Sequence, residues 1–180
     1  GAGPRAYSLC TDSFQHGWPL IGQTIEDLMR WEDWLIREYE EPQLDAVGIS
    51  YGGDLALVYP VFSARVRKIF ASDTLGSFSA IYTRGYHAPA HCIPNILEWM
   101  DCAEIAGLNA PRPIALHYGE LDTPDRYKHS ASYNETVEPS LAELRAIYKA
   151  FDAADAIQLI VSPDKGHEMD NAVLLNFLAD

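Results

Sequence analysis

Apolar positions along this chain fall into two kinds of run, and the two alternate. Short apolar stretches of strand length recur at 44–49, 67–72, 113–118 and 157–162, the last reading Ile-Gln-Leu-Ile-Val-Ser. Between them lie longer stretches with apolar residues at helical spacing, at 51–61, about 94–108, 138–153 and 168–179. A helix is also expected from Thr24 to about Tyr39, where Ile25, Leu28, Met29, Trp31, Leu35 and Ile36 supply an apolar stripe. Thr24 has the chemistry of an N-cap, Asp27 follows three residues on, and Pro42 lies past the end. Residues 1–19 read as irregular. Apolar strands alternating with amphipathic helices, without hairpin turn signals, predict a mostly parallel sheet with helices on both faces. The expectation is one α/β domain over residues 1–180, with no repeats, low-complexity tracts or linkers.

The strand-to-helix junction at 44–59 carries the first chemistry. It reads Asp45-Ala-Val-Gly-Ile-Ser-Tyr-Gly-Gly-Asp54, containing Gly48-x-Ser50-x-Gly52. The five-letter pattern occurs often by chance. Between a strand and a helix it places a serine on a sharp turn, its hydroxyl projecting from the end of the sheet and the glycines allowing close approach. Ser50 is the candidate nucleophile, and the Tyr51 N–H immediately after it is the candidate oxyanion donor.

In parallel sheets, function gathers beyond the carboxyl ends of the strands. Three loops leave strand ends after Ser50. The loop after 67–72 holds Asp73, Thr74, Phe78, Tyr82 and Tyr86; the next is Gly119-Glu-Leu-Asp-Thr-Pro124; the last is Ser162-Pro-Asp-Lys-Gly-His167. A serine hydroxyl needs a base, and histidine suits that exchange near neutrality. The base in turn needs a carboxylate to orient it. His167, expected at the start of the last helix, and Asp122 fill these roles in the order Ser, Asp, His. Glu120 and Asp125 compete as the acid. His117 lies inside a strand and is expected in the core; His87 and His91 read as ordinary loop residues. His16-Gly17 has the letters of an oxyanion motif but lacks further glycines.

With 26 acidic against 13 basic side chains the net charge is −13. That balance disfavours nucleic acid and anionic membranes, which bind through Lys and Arg, and suits a neutral small-molecule substrate. Cys10, Cys92 and Cys102 form no disulfide framework or zinc spacing, and the six histidines are scattered, so neither metal nor cofactor is expected. No run of about 18 apolar residues and no signal-peptide pattern is visible, and the chain starts without Met, so the compartment is left open.

These residues resemble the α/β-hydrolase superfamily, and more narrowly its dienelactone-hydrolase-like and acetyl-xylan-esterase-like bacterial esterases. The narrower likeness lies in Leu20-Ile-Gly-Gln-Thr through Glu26-Asp27, in Cys92-Ile-Pro-Asn-Ile-Leu with Asp101, and in Ile105-Ala-Gly-Leu-Asn-Ala-Pro-Arg-Pro113 followed by Gly-Glu-Leu-Asp122. It runs from about residue 20 to the C-terminus. It implies hydrolysis of carboxylic esters by Ser50, Asp122 and His167, with short acyl groups on sugars as one substrate class. Dienelactone hydrolases themselves use a cysteine, so the serine points away from that reaction. The family's sheet usually has eight strands with the nucleophile on the fifth. Only four are read here, so a truncated fold is expected, either a fragment or a short natural form, lacking the second oxyanion donor. The open edge of the nucleophile strand is then expected to be covered by residues 1–19 or by another chain, such as a second copy.

Two other functions fit the same residues. One is a peptidase of the prolyl-oligopeptidase type, which usually carries a propeller domain. The other is a hydrolase-fold binding protein with weak or no catalysis, using Phe78, Tyr82, Tyr86 and Trp99.

Overall fold

The computed structural model describes residues 4–39, 43–79, 89–123 and 136–179. Tyr82, Tyr86, His87 and Asp125 lie outside them. Four parallel strands form a sheet in sequence order: β1 (Leu44–Ile49), β2 (Val66–Ser72), β3 (Ile114–Gly119) and β4 (Ile157–Ser162). β3 is buried along its whole length, which is why it reads as an unbroken apolar run. Side chains alternate between the two faces. Ile69, Ala71, Ile114 and Leu116 join one core cluster, while Phe70 and Ala115 join another.

The larger cluster lies under α2 (Leu20–Glu38), α3 (Tyr51–Val58), α4 (Cys102–Gly107) and α5 (Val137–Ala150). The smaller lies under α6 (Asn171–Ala179), through Phe177, Val173, Leu174 and Leu178. Lys68 Nζ closes that helix, accepted by the Phe177 carbonyl at 3.0 Å.

Residues 1–19 depart from the expectation, since Pro4–Gln15 form helix α1. Its Ser and Thr hydroxyls, which suggested irregular chain, turn back onto the helix: Thr11 donates to the Tyr7 carbonyl and Ser13 to that of Leu9, both at 2.8 Å. Cys10 is fully buried where α1 packs on α2 and on the Pro89–His91 turn. Residues 4–15 therefore do not cover β1 as a strand. Among the described residues β2 is the sole strand partner of β1.

Helix α2 starts one turn earlier than expected. Pro19 precedes it in extended conformation, and Thr24 donates to the Leu20 carbonyl at 3.0 Å instead of capping. The helix expected over 94–108 is broken. Asn95 takes a left-handed φ of 63°, a 3₁₀ turn spans Ile96–Glu98, and Asp101 with Glu104 builds a capping box that starts α4 afresh. Helix α6 begins at Asn171, so His167 sits in the loop before it. No helix among the described residues is long and apolar enough to cross a membrane.

Candidate active site

The site is a row of groups along the carboxyl ends of the strands. Ser50 follows β1 with φ 55° and ψ −123°, a backbone region that L-residues rarely enter. The Ser50 N–H donates to the Ser72 carbonyl at 2.9 Å, and the Asp54 N–H closes the first turn onto the Ser50 carbonyl at 3.1 Å. Tyr51 is the first residue of α3, where a helix leaves its N–H without an intrahelical acceptor and at the positive end of the dipole. That is the chemistry of an oxyanion donor.

The glycines divide their work differently from expectation. A Cβ on Gly48 would stand 1.8 Å from the Gly52 carbonyl oxygen, so β1 and α3 meet there only because Gly48 has none. A Cβ on Gly53 would meet Thr74 at 2.8 Å and the Ser72 carbonyl oxygen at 2.9 Å. One on Gly52 itself would meet nothing described within 4 Å beyond its chain neighbours and its own helix backbone.

At the far end of the row, His167 Nδ1 stands 2.9 Å from Asp122 Oδ2. The Asp122 side chain is fully buried and that of His167 is 29% exposed. Gly119 makes this meeting possible, because the Lys165–Gly166 backbone fills the space its Cβ would take. The Leu121 N–H donates to the Lys165 carbonyl at 2.7 Å, tying the acid loop to the histidine loop. The hydrogen bond to Asp122 raises the His167 pKa above its ordinary value. Burial opposes this, and the charges of Asp122 and Asp73 add to it.

Asp73, noted in the sequence only as a loop residue, lies between the two ends. It follows β2 with φ 50°, is 3% exposed, and accepts from Ser72 Oγ at 3.0 Å. One polar atom each from Asp73, Asp122 and His167 lies within 4.8 Å of the others. Burial first, and the Asp122 charge second, push the Asp73 carboxyl up to about 7. Two carboxylates this close do not ionise independently. A carboxylate at the first position past a strand that neighbours the nucleophile strand is the signal that would have flagged it.

His117 is the core histidine expected, between Ser72 Oγ at 2.8 Å and Ser162 Oγ at 3.0 Å, with burial lowering its pKa. His91 is no ordinary loop residue. It is 7% exposed and its Nδ1 meets Asp54 Oδ2. Phe78, considered as a binding aromatic, is 3% exposed and belongs to the core, whereas Trp99 is 79% exposed. Glu120 is exposed and accepts from the Asp164 N–H at 3.4 Å, whereas the carboxylate that meets His167 is Asp122.

No protein-family model matches the chain. No curated protein matches it either. Solved structures do. Methylesterase BT1017 aligns with TM-score 0.64 over 88% of this chain at 19% identity. The glucuronoyl esterase from Sporotrichum thermophile aligns with TM-score 0.63 over 88% at 13% identity. Over the aligned residues the chain has the α/β-hydrolase fold. A promiscuous esterase of carbohydrate esterase family 15 from a marine bacterial metagenome aligns over 99% of the chain, at 13% identity and TM-score 0.59. The chain spans 34%, 49% and 52% of these three structures, so it carries part of the fold.

Proposed function

We propose that this α/β-hydrolase domain hydrolyses carboxylic esters through Ser50, with His167 as base and Asp122 as its orienting acid. The observation that supports this most is the 2.9 Å Asp122–His167 bond, held on the same strand ends as a serine in a strained elbow. Ser50 Oγ attacks the carbonyl carbon while His167 Nε2 takes its proton. The Tyr51 N–H donates to the oxygen that becomes negative. As the tetrahedral species collapses, the bond from carbon to the alcohol oxygen breaks and His167 returns the proton to that oxygen. Water then repeats the sequence on the acyl-enzyme, releasing the acid and restoring Ser50. Asp122 keeps Nδ1–H in place and stabilises the imidazolium. Burial and the Asp122 charge push the neighbouring Asp73 carboxyl up to about 7, and its charge, like that of Asp122, favours the imidazolium.

A neutral ester on a sugar is the substrate class we favour. The acidic chain suits an uncharged substrate, and the solved structures of similar fold include a methylesterase and a glucuronoyl esterase. An acetyl group on a sugar hydroxyl is one such ester. Labelling with a fluorophosphonate and turnover of p-nitrophenyl acetate test the assignment. Both should be lost in Ser50→Ala, and a variant that labels and turns over like the parent would overturn it.

A further inference from the structure

A second buried histidine–carboxylate pair lies beside the elbow, and the mechanism above does not use it. Asp54, in the first turn of α3, is 6% exposed. Its Oδ1 accepts from Thr74 Oγ1 and its Oδ2 meets His91 Nδ1, both in short contacts. A carboxylate oxygen paired with a ring N–H accepts from it, which puts the hydrogen of this contact on His91 Nδ1. The His91 ring packs edge-to-face on Tyr51, with centroids 5.0 Å apart and planes at 68°. The Tyr51 hydroxyl in turn pairs with Thr24 Oγ1 of α2 at 3.2 Å. Three separate segments, α2, the end of β2 and the Pro89–His91 turn, thus converge on residues 51 and 54 of one helical turn.

We propose that the Asp54–His91 pair is a positioning device for the elbow, holding Tyr51, and with it the Tyr51 N–H, in line with Ser50. Its catalytic consequence rests on the serine-esterase reading; its effect on the elbow does not. A buried carboxylate is costly unless paired, and an apolar pair would fill the same corner with less penalty. What the polar pair adds is direction. Asp54 is tied through its own N–H to the Ser50 carbonyl and through its side chain to two other segments. The turn that presents Ser50 and Tyr51 is therefore held from both ends, as preorganised stabilisation of a developing charge requires.

Two variants test it. His91→Phe keeps a ring against Tyr51 and removes the donor to Asp54. His91→Asn keeps a donor and removes the ring, and it decides the matter if the first variant does not fold. Hydrogen exchange of residues 50–56 should rise in both, with β3 and β4 unchanged. In p-nitrophenyl acetate hydrolysis, kcat should fall about 10–100-fold with KM within about twofold, because a displaced donor weakens only the transition state. Affinity for butylboronic acid, whose serine adduct is tetrahedral, should fall by the same factor. The pH midpoint set by His167 should stay in place. Unchanged exchange at residues 50–56 in both variants would overturn the proposal. So would a loss confined to KM, which marks direct substrate contact, or a moved midpoint, which marks an effect on His167. If the parent protein neither labels nor turns over ester, the esterase reading fails, and the exchange result still decides the clamp.

Discussion

The backbones of Gly119 and Gly166 meet so closely that a Cβ on Gly119 would stand 2.1 Å from the Gly166 carbonyl oxygen. Asp122 lies three residues after the first glycine and His167 one residue after the second. Their side chains can meet at 2.9 Å because the two loops touch through bare backbone. Gly119→Ala should push the loops apart. We expect kcat for p-nitrophenyl acetate to fall by about 10²-fold, the loss that a misplacement of about 1 Å brings. Circular dichroism should still show a folded protein.

The elbow glycines should respond unequally. Gly48→Ala drives a methyl group into the Gly52 carbonyl, and backbone cannot yield as a side chain can. A loss of about 3 kcal/mol or more in urea unfolding is expected. Gly52→Ala meets nothing described beyond its chain neighbours and its own helix backbone, so its stability should match the parent or exceed it by up to about 1 kcal/mol.

Ser50→Gly should abolish turnover and leave the fold intact. The backbone at φ 55° and ψ −123° strains an L-residue and suits glycine. Relief of that strain should exceed the added freedom of the unfolded glycine and raise stability by about 1 kcal/mol in the same unfolding assay.

Activity should rise with pH as His167 loses its proton, with a midpoint above the ordinary histidine value of 6.5, because Asp122 favours the imidazolium. The Asp73 charge adds to that shift. Asp73→Asn removes the charge, so the midpoint of the kcat/KM profile should move to lower pH. A midpoint that stays put would separate Asp73 from the histidine.

Asp73 should also leave a mark on stability. Its folded pKa of about 7 lies above the unfolded 3.8, so the folded state holds a proton that the unfolded state releases. That contribution is complete below pH 3.8 and is lost as pH rises towards 7. Asp73→Asn should flatten the fall in unfolding free energy between those pH values. Urea titrations at pH 5 and pH 8 would show it as a smaller difference than in the parent.

Four strands, their parallel order and the Ser50 elbow were legible because each rests on local pattern: apolar runs, helical spacing and glycines at a junction. That Asp122 and His167 could meet was expected from strand ends and chain order, and their side chains do pair. Helix α1 was not, since its hydroxyls suit loops in isolation and become helical by bonding back to Tyr7 and Leu9. The break at Asn95 was not read either, although the Asp101–Glu104 capping box that restarts the chain as α4 is a local pattern.

The sequence by itself determined the four strands and most of the helices between them and named a serine, an acid and a histidine, because periodicity and turn chemistry act over a few residues. Tertiary structure alone decided which side chains share a few ångströms. It brought Asp73 beside Asp122, and His91 against Asp54 and Tyr51, across separations of 49, 37 and 40 residues in the chain. Such pairings arise from strand register and from backbones that touch where glycine permits, and no local pattern encodes them.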